Sequence, residues 1–112
     1  MALIREFSGH ILYRIEDDCV REFSGQKLLL FGNGTIREFS GKILAKYDGD
    51  TVRDFSGRIL FRVDGQYLRE FSGVIRYRVE GGYLRDFAGR ILYRFDGFLS
   101  RDGLMTFLYM IF

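Results

Sequence analysis

The chain has 112 residues, and seventeen Lys and Arg against fifteen Asp and Glu leave a formal charge of +2, too small to dictate a polyanion partner by net charge alone. One Cys (Cys19) excludes an internal disulfide, and one His (His10) excludes a cysteine–histidine zinc cluster. With His10 the only imidazole, a Ser–His–Asp or Cys–His catalytic set has almost nothing to build on.

Met1 to Ile15 carries Arg5, Glu6, His10 and Arg14, which leaves no uncharged signal-peptide core, and a cytoplasmic location is the default expectation. From Arg5 onward the chain repeats itself. REFSG or a near copy begins at Arg5, Arg21, Arg37, Arg53 and Arg69, becomes RDFAG at Arg85, and leaves a last trace at Arg101, always sixteen residues apart. A second block follows each copy: HILYRI from His10, QKLLLF from Gln26, KILAKY from Lys42, RILFRV from Arg58, VIRYRV from Val74 and RILYRF from Arg90. The tail Thr106–Ile111 (TFLYMI) occupies the same slot, so residues 1–112 read as one domain of seven units with the last one degraded.

Each unit holds two turn signals eight residues apart. One is Ser-Gly, as at Ser56-Gly57; the other is Asp-Gly or similar, as at Asp64-Gly65 and Glu80-Gly81. Glycine supplies the positive φ that two-residue hairpin turns demand. The six-residue runs between them alternate in polarity and are rich in Ile, Val, Tyr and Phe. This predicts an all-β chain of about fourteen short strands, with the apolar tail as a buried or edge strand too short to span a membrane.

A sixteen-residue, two-strand unit fits an antiparallel hairpin meander or a β-solenoid. The solenoid stacks like charges in touching columns, Arg5 on Arg21 on Arg37 and so on, which favours the meander. Two-residue turns then set Val63 opposite Gln66, Phe61 opposite Leu68, Arg62 opposite Tyr67 and Arg58 opposite Phe71. One face collects Ile59, Phe61, Val63, Leu68, Ile75, Tyr77, Val79, Leu84, Ile91 and Tyr93, with a row of acids beside them. The other collects Arg53, Arg58, Arg62, Tyr67, Arg69, Phe71, Arg76, Arg78, Tyr83, Arg85 and Arg94.

The apolar face of so wide a sheet needs a cover. Equal strands joined by equal turns add no stagger, and a closed barrel needs stagger. A folded-over sandwich or a pair of copies is therefore the expectation. Both sheet edges lack Pro, and the tail strand lacks charge, so homo-oligomerisation or fibre growth follows. Catalysis is not expected, because the acid row offers alike positions rather than a pair in divergent environments. Each Asp-Gly turn offers too few oxygens for calcium, and no cofactor or metal is expected. The Arg–aromatic face is the candidate surface for an anionic polymer such as nucleic acid, acidic polysaccharide or lipid headgroups.

The unit R-[DE]-F-S-G-x-[IL]-L-[YF]-R-[VI]-D-G resembles the short tandem repeats of uncharacterised bacterial proteins. The likeness covers nearly the whole chain, fading after Gly103, and implies β-hairpin repeats without implying an activity. The expectation is a non-catalytic structural repeat protein that self-associates, with a polyanion-binding module as the alternative.

Overall fold

A computed structural model describes residues 1–112. Twelve strands follow one another: Ala2–Glu6 (β1), Ile11–Ile15 (β2), Cys19–Glu22 (β3), Lys27–Gly32 (β4), Thr35–Glu38 (β5), Ile43–Asp48 (β6), Thr51–Asp54 (β7), Ile59–Asp64 (β8), Tyr67–Glu70 (β9), Ile75–Glu80 (β10), Tyr83–Asp86 (β11) and Ile91–Gly97 (β12). A helix, Arg101–Ile111 (α1), ends the chain. Every strand pairs antiparallel with its chain neighbours, which is the hairpin meander and not the solenoid, and β12 pairs with β1 to close a barrel.

The two turn types differ more than the sequence suggests. At the Asp-Gly turns the pairs are Asp64–Tyr67, Val63–Leu68 and Phe61–Glu70, so the two loop residues are Gly65 and Gln66. Gly65 has φ 62° while Gln66 keeps a negative φ, the type II′ signature. The register is displaced by two residues from that expected, an even shift that leaves every side chain on its predicted face. Arg62 consequently faces Arg69 rather than Tyr67.

At the Ser-Gly turns the loop has three residues. Gly73 donates to the Glu70 carbonyl and Glu70 to the Val74 carbonyl, with Gly73 at φ 97°. An odd loop would flip the following strand, and a β-bulge corrects this: Arg69 pairs with Ile75, yet Leu68 already pairs with Tyr77. The same irregularity recurs in all six hairpins of this kind. It moves Ile59, Ile75 and Ile91 opposite the outward Arg53, Arg69 and Arg85. The extra residue, Leu60 or Arg76, turns toward the barrel mouth instead, and Leu60 packs against the core. Phe71 lies at an exposed turn tip and so does not face Arg58.

The bulged hairpins supply the stagger that equal hairpins lack. Tyr13 pairs with Glu22, whereas Val20, two residues earlier on β3, pairs with Leu29. Each sixteen-residue unit thus advances the register by two, and six units carry it far enough to close twelve strands at an ordinary barrel tilt of about 36–40°. The apolar face, expected under a sandwich partner or a second copy, forms the interior. Ile4, Val20, Ile36, Val52, Leu68 and Leu84 make a fully buried ring there, joined by Phe61 and Val63. Neither end strand is left as an open edge.

An eight-strand barrel is just filled by its own side chains, so twelve strands enclose a lumen needing more, and α1 occupies it. Phe107 packs on Tyr13, Tyr93 and Phe95 at centroid distances of 5.8, 5.4 and 6.0 Å, while Phe112 reaches Phe61 at 4.9 Å. Arg101 pairs with Asp50 near one mouth, and Tyr77 donates to the Ile111 carbonyl toward the other. The tail is therefore a helix and not the expected thirteenth or fourteenth strand. Gly103-Leu104-Met105 replaces the Phe-Ser-Gly turn, so no hairpin can form there. β1 already fills the vacant slot beside β12, and a chain inside an apolar lumen must satisfy its own backbone. Ser100 starts the helix, its Oγ accepting from the Gly103 amide at 3.0 Å. No helix is long and apolar enough to cross a membrane.

Phe107 should therefore be the costliest side chain of the tail. Phe107→Ala is expected to lower unfolding free energy by about 3–5 kcal/mol in urea titrations. A loss below about 1 kcal/mol would mean that α1 does not fill the lumen.

Candidate functional site: a basic outer wall with recurring grooves

The barrel separates chemistry into a wall and two unlike mouths. Outside, each unit sets two cations directly opposite each other: Arg14 and Arg21, Lys46 and Arg53, Arg62 and Arg69, Arg78 and Arg85, Arg94 and Arg5. Only Leu30, opposite Arg37, interrupts the belt. Like charges directly opposed cost stability, so what holds each of them matters.

The first arginine is tied down in five of the six REFSG copies, Arg37 being the exception, its Nε buried without a partner. Nη1 of Arg5, Arg21, Arg53, Arg69 and Arg85 donates to the carbonyl of its own turn glycine at 2.7–3.2 Å. Nε of four of them faces a carboxylate at the preceding turn: Asp96, Glu16, Asp64 and Glu80. Asp64 and Glu80 are the last residues of β8 and β10, Asp96 stands one residue before the end of β12, and Glu16 follows β2, so all four flank the turns at one mouth. The opposing column is free. Lys46, Arg62, Arg78 and Arg94 have no carboxylate within 4.0 Å, and Arg14 has only Glu16 at 4.0 Å. Arg78 Nε is buried with no hydrogen-bond partner.

Aromatic rings lie among these cations, through neighbours on the same strand. The Arg69 guanidinium sits 5.7 Å from the Tyr67 ring centroid, and that of Arg85 5.5 Å from Tyr83. Arg78 faces Tyr67 across the strands. Tyr67, Arg69, Ile75, Arg78 and Phe87 frame a groove of about 510 Å³. A groove of about 360 Å³ between Arg21, Lys27 and Phe39 stands forty-eight residues earlier, at equivalent positions three units away. The repeat thus places a groove at the same position twice, the earlier one having Cys19 and Leu30 in the slots of Tyr67 and Arg78.

Of the other residues assigned to the basic face, Arg58 projects from a Ser-Gly turn, close to Asp54. Arg76 pairs with Glu70 at 2.9 Å and lies over Tyr77 and Phe112, which makes it part of the mouth and of the helix packing. Among the residues assigned to the apolar face, Phe61, Val63, Leu68 and Leu84 are buried, and Tyr77, Val79 and Tyr93 pack against them.

The acid row has a local task. Ser8, Ser40 and Ser56 donate to Glu6, Glu38 and Asp54 two residues before them, at 2.6–2.7 Å. Asp86 takes the Ala88 and Arg90 amides in the same way. These hydrogen bonds fasten the turns. They also hold the Glu6 and Asp54 carboxyls below their ordinary values, through Ser8 and His10 in one case and Ser56 in the other.

Glu16, Asp18 and Cys19 bring three ligand atoms within 4.8 Å of one another. Glu16 is engaged by Arg21, which holds its carboxyl low. Burial and the Glu16 carboxylate push the Cys19 thiol up to about 11, so it stays neutral and is a weak metal ligand. The turns at this mouth carry eight acids (Glu16, Asp17, Asp18, Asp48, Asp50, Asp64, Glu80, Asp96) and no Lys or Arg.

The chain matches no family model, no curated protein and no solved structure. Its ionisations nonetheless define a stability profile. The lowered Glu6, Glu16 and Asp54 carboxyls favour the fold above the ordinary carboxylate value of 4.5 or 3.8 and lose that contribution as pH falls toward the folded values. The raised Cys19 thiol does the reverse, costing stability as pH rises from 9.0 toward about 11. The melting temperature should stay level between about pH 5 and pH 9 and fall on both sides. In the native protein at pH 8, Cys19 should react with a disulfide reagent about 100-fold more slowly than an ordinary thiol; an ordinary rate would mean an open site there.

Proposed function

We propose that the protein is a non-catalytic binding module whose outer wall holds a linear polyanion, single-stranded nucleic acid being the best fit. The observation that carries this is the free cation column beside aromatic rings. Lys46, Arg62, Arg78 and Arg94 satisfy nothing within the fold, although each stands opposite another cation at a cost. A strand of phosphates running across them would take the place of the missing acids. Tyr67, Tyr83 and Phe87 offer π-faces on which bases stack without regard to sequence. The repeated groove suits a repeated ligand.

The self-associating reading drew on an exposed apolar face and on open edges. In the barrel that face packs on α1 and the edge strands pair with each other, so the surfaces it would use are occupied. What supports binding instead is the surface left outside.

A labelled oligothymidylate is the first probe. If about five phosphates are contacted, affinity should fall on the order of 100-fold between about 50 and 200 mM salt. Replacing Arg62, Arg78 and Arg94 together with Gln should flatten the logarithmic salt slope by about two. These side chains make no internal ion pair, so the melting temperature should not fall. Tight binding of heparin with none of the oligonucleotide would redirect the reading to acidic polysaccharide. No binding of either at low salt would end it.

A further inference from the structure

The mouth opposite the acidic turns has a different chemistry. Phe7, Phe23, Phe39, Phe55, Phe71 and Phe87 stand at the tips of the six Ser-Gly turns, each 70–78% exposed. Nothing in the fold requires them there. The first loop position accepts most residues, and the turn is fastened by its glycine and by the Ser–acid hydrogen bond. Water exposure of six phenyl rings on one rim is unusual for a monomer.

Two further observations bear on what covers them. The same turns carry His10, Lys42, Arg58 and Arg90 just after the glycine, with an acid directly before each phenylalanine that the turn serine or amides engage in most of them. Arg58 and Arg90 are about four-fifths exposed, so their pairing with the turn acids is open to exchange. The centre of the ring is apolar as well: Tyr13, Leu28, Leu29, Tyr109, Met110 and Phe112 line an open cleft of about 540 Å³ where α1 ends.

We infer that this mouth docks on a lipid bilayer rich in acidic headgroups, with the phenyl rings entering the boundary between headgroup and acyl chain. The rings are separated by two strands, at least about 9.6 Å apart. A folded partner would need matching pockets at that spacing, whereas a fluid interface admits separate wedges in any register. Lys42, Arg58 and Arg90 then meet lipid phosphates and carboxylates at the depth where cations settle. The far mouth, where Asp17, Asp18 and Asp48 make no ion pair, orients the molecule the same way. A second copy is a poorer occupant. Rim to rim, rings at least about 9.6 Å apart would have to interdigitate around the charged residues between them; head to tail, it would press phenyl rings onto the acidic turns, where Phe98 and Met1 are the large apolar side chains exposed. The wall and its polyanion play no part in this inference.

Sedimentation with vesicles tests it, using phosphatidylcholine alone and with about one-third phosphatidylserine. The expected result is binding to the mixed vesicles, at least about tenfold stronger than to neutral ones. Phe7→Ser, Phe55→Ser and Phe71→Ser combined should weaken it at least tenfold, with the melting curve and oligonucleotide binding unchanged. Phe55→Trp should bind like the parent and shift its emission to the blue on the mixed vesicles. Binding that survives the triple Ser change but falls with Arg62, Arg78 and Arg94 replaced by Gln would be wall adsorption and would overturn the rim. So would absence of vesicle binding at low salt, or light scattering showing a multimer that the Ser changes convert to monomer. Loss of oligonucleotide binding with vesicle binding intact would sink the wall reading alone.

Discussion

One extra residue in each long strand governs this structure. A three-residue Ser-Gly loop, taken alone, would send the next strand out with its faces reversed. The bulge at Leu12, Leu28, Leu44, Leu60, Arg76 and Leu92 restores the alternation one residue later. It also leaves a net slide of two residues per unit, because the Asp-Gly hairpins have no compensating bulge. Repeated six times, a correction local to each hairpin becomes the shear that lets β12 meet β1 in register, Ile4 against Phe95. A flat sheet with identical faces would have had to find a partner; the sheared one finds its own first strand.

Closure then dictates the fate of the tail. At the seventh unit two segments could pair with β12: Leu99-Ser100-Arg101-Asp102 next in the chain, or Leu3-Ile4-Arg5-Glu6 from its beginning. They differ at the inward position, where Ile4 is fully buried and Ser100 would bring a hydroxyl into the core. The N-terminal segment takes the slot. Ser100 uses the same hydroxyl to cap α1, a better role for it than an unpaired place on the inner wall. The lumen of twelve strands would be partly empty without Met105, Phe107 and Leu108, all fully buried. Barrel width and tail composition therefore depend on each other, and an eight-strand version of this repeat would have no room for the helix.

How much of this was legible follows from which interactions are local. Strand type, hairpin order and the inward Phe61–Val63 and Leu68 face are written in alternation and in glycine spacing, and they stand as read. The loop at Gly65-Gln66 lies one residue later than the sequence implies, which slides the pairing by two and preserves every face while setting Arg62 opposite Arg69 in place of Tyr67. The odd shift at Ser72-Gly73 had consequences: it moved Ile75 outward and Arg76 to the mouth. Its trace in the sequence is the pair of adjacent apolar residues at Ile59-Leu60 and Ile91-Leu92, which breaks strict alternation where a bulge needs two side chains opposite one. The helix was hidden for a different reason. TFLYMI has the composition of a strand, and only the absence of a vacant edge, a property of the whole barrel, excludes that conformation.

The arginines of the wall show why a uniform repeat can still contain two kinds of residue. Arg5, Arg21, Arg53, Arg69 and Arg85 close their own turns through the glycine carbonyl, and four of them also face a carboxylate, so both the reach and the charge of the side chain are used within the fold. Their neighbours across the strand at Lys46, Arg62, Arg78 and Arg94 bond to no carbonyl and no acid, and a threonine there would relieve the repulsion while suiting the strand better. The solenoid was set aside because it would stack like charges, yet the meander places arginine opposite arginine five units out of six, counting Lys46 with Arg53. The difference is that one member of each pair is anchored and turned toward its glycine, which leaves the other to face solvent alone. Structural demand thus accounts for one column and exhausts itself there. The second column answers no demand of the fold, and on the proposed reading an anion on the wall would offset its repulsion; the Nε of Arg78, buried opposite Tyr67, lacks a partner as those of Arg37 and Arg85 do.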